Sequence, residues 1–122
     1  MDFISEKLND YIKNHSTKES DLLKELSRET KLKILNPRML SGSYQGRILS
    51  IISKLTKPKY ILEIGTYTGY SSLCLVEGMK NDGELHTIDE NEELYDFQRK
   101  YFNKSSYRDK IFQHLGNALE LI

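Results

Sequence analysis

Glu63, Gly65, Gly69, Ser71 and Ser72 fall inside one short stretch, "ILEIGTYTGYSS" (Ile61 to Ser72), in which an apolar run breaks into a glycine turn and then a helical pattern. Glycines at 65 and 69 let the backbone turn sharply and let a helix begin close to the strand. Ser71 and Ser72 add hydroxyl donors where the first N–H groups of a helix are unpaired, so the turn can hold a polar ligand. Glu63 is an acid in an otherwise apolar strand; its burial is costly unless hydrogen bonds or a cation such as an amino-acid ammonium compensate it. Asp89 ends the next apolar run, "LHTIDEN", twenty residues after Gly69. A carboxylate there can accept hydrogen bonds from ribose hydroxyls. Tyr67 occupies the place of the middle glycine of G-x-G-x-x-G, and nothing resembles G-x-x-x-x-G-K-[ST]. Pyrophosphate binding, and with it an NAD-dependent oxidoreductase, is therefore disfavoured, and adenosine without pyrophosphate fits better.

The elements that must position these residues can be read from periodicity. Phe3, Ile4, Leu8, Tyr11 and Ile12 recur at helical spacing, and after the break "STKES" a second helix, capped near Ser20, carries Leu22, Leu23, Leu26 and Leu32. "NPRMLSGSYQG" reads as an irregular loop, with Pro37 holding Asn36 extended and Gly42 and Gly46 loosening the chain. Ile48, Leu49, Ile51, Ile52 and Leu55 make a third apolar-faced helix that ends before Pro58. Beyond it "YILEI", "ELHTI" and "KIFQHL" are strands separated by the helical stretches "SSLCLVEGM" and "ELYDFQRKYF". This alternation predicts an α/β fold: part of a doubly wound, Rossmann-like sheet with three parallel strands, behind an N-terminal helical extension. No linker divides the chain, so residues 1–122 are expected to be one domain, with 1–57 the helical extension and 58–122 a βαβαβ half.

Composition narrows the function classes. The 122 residues carry 18 basic and 18 acidic side chains, which gives no global field to attract nucleic acid or an anionic membrane. Cys74 is the single cysteine, so no internal disulfide can form, and a cytoplasmic location is expected. No apolar run approaches the length of a membrane span. His15, His86 and His114 lack the spacing of a metal site. Tyr95, Phe97, Tyr101, Phe102 and Tyr107, interleaved with Lys100, Lys104, Arg108 and Lys110, read as a helix covering a sheet rather than a base-stacking surface.

The same stretches resemble the class I S-adenosylmethionine methyltransferases, and more narrowly the catechol and caffeoyl-coenzyme A O-methyltransferases and their small bacterial relatives. "LEIGTYTGYSS" is similar to that family's first motif, "ELHTIDEN" to its second and "MLSGSYQGRIL" to its N-terminal loop; the likeness runs from about Pro37 to Ile122. The resemblance implies that Glu63, Gly65, Thr66 and Tyr67 surround the methionine part of S-adenosylmethionine and that Ser71 reaches its carboxylate. It further implies that Asp89 holds the ribose, that Asn117 and Ala118 of "HLGNALELI" lie beside the adenine, and that Ser41 touches the cofactor from the early loop. Asn117 stands where other methyltransferases have aspartate.

The resemblance also implies what lies elsewhere. The family's ligands for a divalent metal such as magnesium, and most of its acceptor pocket, come from later strands, so no metal ligand and no catalytic residue is assigned here. The chain is expected to be the N-terminal part of a metal-dependent enzyme acting on a small-molecule hydroxyl or a modified tRNA base, inactive alone. Tyr44 and Arg47 are candidates to flank the acceptor. The family's sheet order would leave Tyr60 to Ile64 as an open edge, which predicts a homodimer or swapped assembly. The competing expectation is a non-enzymatic interaction module that uses that edge.

Overall fold

The computed structural model describes residues 4–34, 36 and 39–122, so the expectations for Phe3 and Pro37 lie outside the described residues. Three helices come first: α1 (Glu6–His15), α2 (Asp21–Lys33) and α3 (Gly42–Thr56). Ser5 and Ser20 cap the first two, each hydroxyl accepting from a backbone N–H three residues on, Leu8 at 3.4 Å and Leu23 at 3.3 Å. α1 buries no residue, whereas α2 buries Leu23, Leu26 and Thr30. Leu32, expected on the apolar face of α2, is instead 72% exposed. Thr30 is buried there instead; its hydroxyl donates to Leu26 O at 2.7 Å and lies 3.2 Å from Thr68 Oγ1.

Two further sequence expectations are corrected in this region. Asn36 is not extended but has φ 60°. The stretch read as a loop is helical from Gly42 onward, because Gly46 packs inward: a Cβ there would come within 2.8 Å of Cys74 Sγ and of the Tyr70 ring. Gly46, Ser50 and Ser53 form the buried side of α3, a row of small residues that brings the helix close to its neighbour. The contact is tightest at Gly78, where a Cβ would lie 2.2 Å from Lys54 N. Arg47 closes the seam with two hydrogen bonds to Glu77, at 2.9 and 2.8 Å, and Ser50 donates to the same carboxylate. Of the predicted apolar stripe only Leu49 packs against the core, partly buried, whereas Ile48, Ile51, Ile52 and Leu55 are exposed, Leu55 to 79%.

The remainder is β1 (Tyr60–Ile64), α4 (Tyr70–Leu75), β2 (Glu84–Asp89), α5 (Tyr95–Lys104), β3 (Ile111–Leu115) and a short α6 (Ala118–Leu121). The strands form one parallel sheet in the order β1-β2-β3. Ile61, Leu85 and Ile111 are in register and face a core made with Leu23 and Leu26 of α2, Tyr70 and Leu73 of α4, and Tyr101 and Phe102 of α5. On the opposite face Leu62, His86 and Phe112 form one row and Ile64, Ile88 and His114 the next. Leu62 and Ile64 on that face are more than half exposed. Among the described residues no helix is long and apolar enough to cross a membrane.

Candidate cofactor site at the carboxyl ends of β1 and β2

The chain leaves β1 at Gly65, whose φ of 96° is open to glycine and strained for other residues; a Cβ there would meet nothing within 4 Å, so conformation and not space demands the glycine. Gly65 N–H donates to Ile88 O at 2.8 Å, fixing the turn against β2. Gly69, also at φ 95°, precedes α4, but the close approach it permits is to α5: a Cβ would sit 2.7 Å from the Phe102 ring. Tyr67 between them also has positive φ, 49°. Bonds to other described residues hold it there. Its N–H donates to Asp89 Oδ2 at 2.8 Å, its carbonyl accepts from Gln98 Nε2 at 2.6 Å, and its hydroxyl donates to Asn36 O at 2.8 Å.

Asp89 links both halves of the site. One carboxylate oxygen takes the Tyr67 N–H, and the other takes Asn91 N–H at 2.9 Å. Each oxygen has two lone pairs, so both retain capacity for a further donor. Gly116 N–H donates to Asp89 O at 2.9 Å, which brings Asn117 and Ala118, at the tip of β3, to the same end of the sheet. There the Asn117 side chain caps α6 by accepting from Leu119 N–H at 2.9 Å.

Behind the turn lies a hydroxyl network that the sequence reading had in part. Ser71 donates to Glu63 Oε2 at 2.6 Å, Ser72 donates to Oε1, and Thr87 donates to Oε1 at 2.7 Å. Because the Thr87 proton goes to Glu63, the 2.6 Å contact between Thr66 and Thr87 hydroxyls is donated by Thr66. Desolvation by burial, with the nearby Asp89 charge adding to it, pushes the Glu63 carboxyl above its ordinary range, although the three hydroxyls act in the other direction. The hydroxyl of Ser71, expected on the ligand, here faces Glu63. Thr87 and Gln98 were not singled out in the sequence; the available signal was a polar residue at the inward position of an alternating strand and another on the inward side of α5.

Ser41, Gly65, Thr66, Tyr67 and Ser71 line one cavity of about 50 Å³ together with Met39 and Leu40. Tyr44 and Arg47 line a separate cleft of about 220 Å³ between α1 and α3, where Arg47 is held by Glu77. Cys74 is buried, and burial pushes its thiol up to about 12. Among the described residues no three His, Cys, Asp or Glu side chains converge as a metal shell requires.

A parallel sheet with a glycine turn after its first strand and an acid at the tip of its second defines a Rossmann-like cofactor domain, and comparison with known proteins gives its family. The O-methyltransferase family profile matches residues 13–122, and the chain belongs to that family. It is 32% identical over 122 residues to a caffeoyl-CoA O-methyltransferase of Stellaria longipes, covering 97% of this chain and 49% of that protein. A caffeoyl-CoA O-methyltransferase of Pinus taeda is 33% identical over 105 residues, covering 86% of this chain and 40% of its own length. Among solved structures, the O-methyltransferase TomG of Streptomyces achromogenes, in complex with SAM, superposes with a TM-score of 0.85 at 26% identity, over 94% of this chain and 51% of that one. The SAH-bound methyltransferase PaMTH1 of Podospora anserina gives 0.86 at 28% identity, over 95% and 51%. The chain thus spans about half the length of the relatives it matches.

Proposed function

We propose that this chain is the cofactor-binding half of an S-adenosylmethionine-dependent O-methyltransferase. The observation that carries the reading is Asp89, hooked to the Tyr67 N–H and poised with spare lone pairs beside the Gly65 turn. In this reading Asp89 accepts from the ribose hydroxyls, and Gly65, Thr66, Tyr67 and Ser41 enclose the methionine end. Ser71 turns from Glu63 to the ligand carboxylate, Glu63 faces the ammonium, and Asn117 and Ala118 flank the adenine. The bound cofactor supplies a sulfonium methyl, an electrophile for an oxygen nucleophile. The chain's own residues orient it and exclude water.

The described residues do not fit a metal shell, so no step here is derived through a metal. We place magnesium, together with the pocket for a small-molecule hydroxyl or a modified tRNA base, in the second half of the fold. The parent would work in the cytoplasm. The open β1 edge and the outward stripe of α3 favour a second reading, a non-enzymatic interaction module. Calorimetric titration of the chain with S-adenosylhomocysteine separates the two. Binding is expected, weakened roughly ten- to hundredfold by Asp89→Asn, since hydrogen bonds to a charged group contribute about 1.5–3 kcal/mol. No methyl transfer to a catechol in the presence of magnesium is expected from the chain alone. No binding, or equal binding by the variant, would overturn the cofactor reading, and turnover would overturn the inactivity.

A further inference from the structure

Two glutamines sit on the inward side of elements whose other inward residues are largely apolar. Gln98 is 2% exposed and shares the buried side of α5 with Tyr101 and Phe102. Gln113 lies on β3 in register with Thr87 of β2, which is itself in register with Glu63 of β1. The apolar row Ile61, Leu85 and Ile111 is therefore followed, one step nearer the glycine turn, by a polar row of Glu63, Thr87 and Gln113. Buried polar groups cost free energy unless they are paired. Glu63 and Thr87 pair with residues of the turn and of α4, namely Ser71, Ser72 and Thr66. Gln113 reaches the turn through an intermediate: its Nε2 donates to Tyr95 O at 3.1 Å and to Gln98 Oε1 at 2.8 Å, and Gln98 Nε2 donates to Tyr67 O at 2.6 Å. The relay has one direction. A carbonyl oxygen only accepts, so Tyr95 O fixes the amide nitrogen of Gln113 and Tyr67 O fixes that of Gln98, which leaves the Gln98 oxygen for the second Gln113 proton. A flipped Gln98 would set its oxygen against the Tyr67 carbonyl.

We propose that Gln98 and Gln113 are positioning residues for the nucleoside cofactor: together they hold the Tyr67 backbone in its left-handed conformation and so set the affinity of the turn for its ligand. This rests on the cofactor reading and deepens it. Tyr67 has φ 49°, a region that costs a residue with a side chain free energy to occupy. The amide of Gln98 offsets that cost by satisfying the carbonyl that the conformation turns toward α5. The far side of the same residue faces the site, where its N–H donates to Asp89 Oδ2 at 2.8 Å. Relaxation of Tyr67 toward negative φ would withdraw that N–H and free the carboxylate that the ribose hydroxyls are to meet. Neither glutamine is among the residues that line the Gly65 cavity, so both act on the ligand through Tyr67 and not by contact. Because Gln113 is on β3 and Gln98 on α5, the two elements brace the turn from behind.

The test uses the full 122-residue chain, with S-adenosylhomocysteine titrated calorimetrically and amide exchange at Tyr67 followed without ligand. Gln98→Met, close in shape but lacking the amide, should weaken binding roughly three- to tenfold and speed Tyr67 exchange at least about threefold. Gln113→Met should weaken binding roughly two- to fourfold. The double variant should bind no worse than Gln98→Met alone, since both residues act through one relay. Gln98→Glu separates hydrogen bonding from packing: ionised, the new carboxylate can only accept and opposes the Tyr67 carbonyl, whereas protonated it donates again. Its deficit against the parent at the same pH should therefore shrink as pH falls from about 8 to about 5. Asp89 and Glu63 are common to both proteins, so the ratio isolates the new carboxyl. A deficit independent of pH, or factors that multiply in the double variant, would assign the glutamines to packing and overturn the proposal. Equal binding and equal Tyr67 exchange in parent and Gln98→Met overturn it as well and leave the cofactor reading standing. A parent chain that does not bind overturns the cofactor reading, and this proposal with it.

Discussion

Glu63 shows how a single residue can be read correctly for type and incompletely for partners. An acid in an apolar strand requires compensation, and three hydroxyls from α4 and β2 supply it. They leave the carboxyl above its ordinary value of 4.5 because burial dominates. The folded state therefore holds that proton more tightly than the unfolded chain, so the contribution is intact below pH 4.5 and is lost as pH rises through the shifted value. Glu63→Gln should accordingly melt higher than the parent at pH 8, with the gain shrinking as pH falls toward 4.5; a gain independent of pH would contradict the assignment. Gly69 is another single-residue case. A side chain there meets both a left-handed backbone and the Phe102 ring. Gly69→Ala should cost about 2–4 kcal/mol in denaturant unfolding. Part of that cost should be recovered in the Gly69→Ala, Phe102→Leu double variant, because the two sites touch.

At the scale of elements, the strands were the most legible part. "YILEI" is β1 residue for residue, and the strands predicted from "ELHTI" and "KIFQHL" match β2 and β3 to within one residue at either end. Short apolar runs between turn signals leave little freedom in register. Helix faces were less legible. Periodicity shows that α3 has an apolar side but not which neighbour covers it, and in α3 the small side, Gly46, Ser50 and Ser53, meets the core. The conformation of Tyr67 was likewise unreadable, because a positive φ in a non-glycine residue is imposed by bonds from Asp89 and Gln98, elements distant in sequence. The tie between α2 and α5 makes a test at this scale. Glu29 accepts from Tyr101 and from Lys100, which pull its pKa down to about 2. Glu29→Gln should destabilise the chain by about 1–3 kcal/mol at pH 7. The deficit should close as pH falls from 4.5 through about 2, where the parent carboxylate also becomes protonated.

For the whole molecule, the family and the parallel sheet were within reach of one sequence, because the turn, the acid and the early loop all lie in continuous motifs. The outward-facing apolar surface was only partly so. An open β1 edge was anticipated, but the outward stripe of α3 emerges only when the helix is docked on α4. Cladding the sheet on one side also has a mechanical consequence. Strands twist relative to their neighbours, and here the Gly65 N–H to Ile88 O bond pins the turn after β1 to the strand that ends at Asp89. A change of twist between β1 and β2 would therefore carry the turn and Asp89 together, because Tyr67 N–H is also bonded to the Asp89 carboxylate.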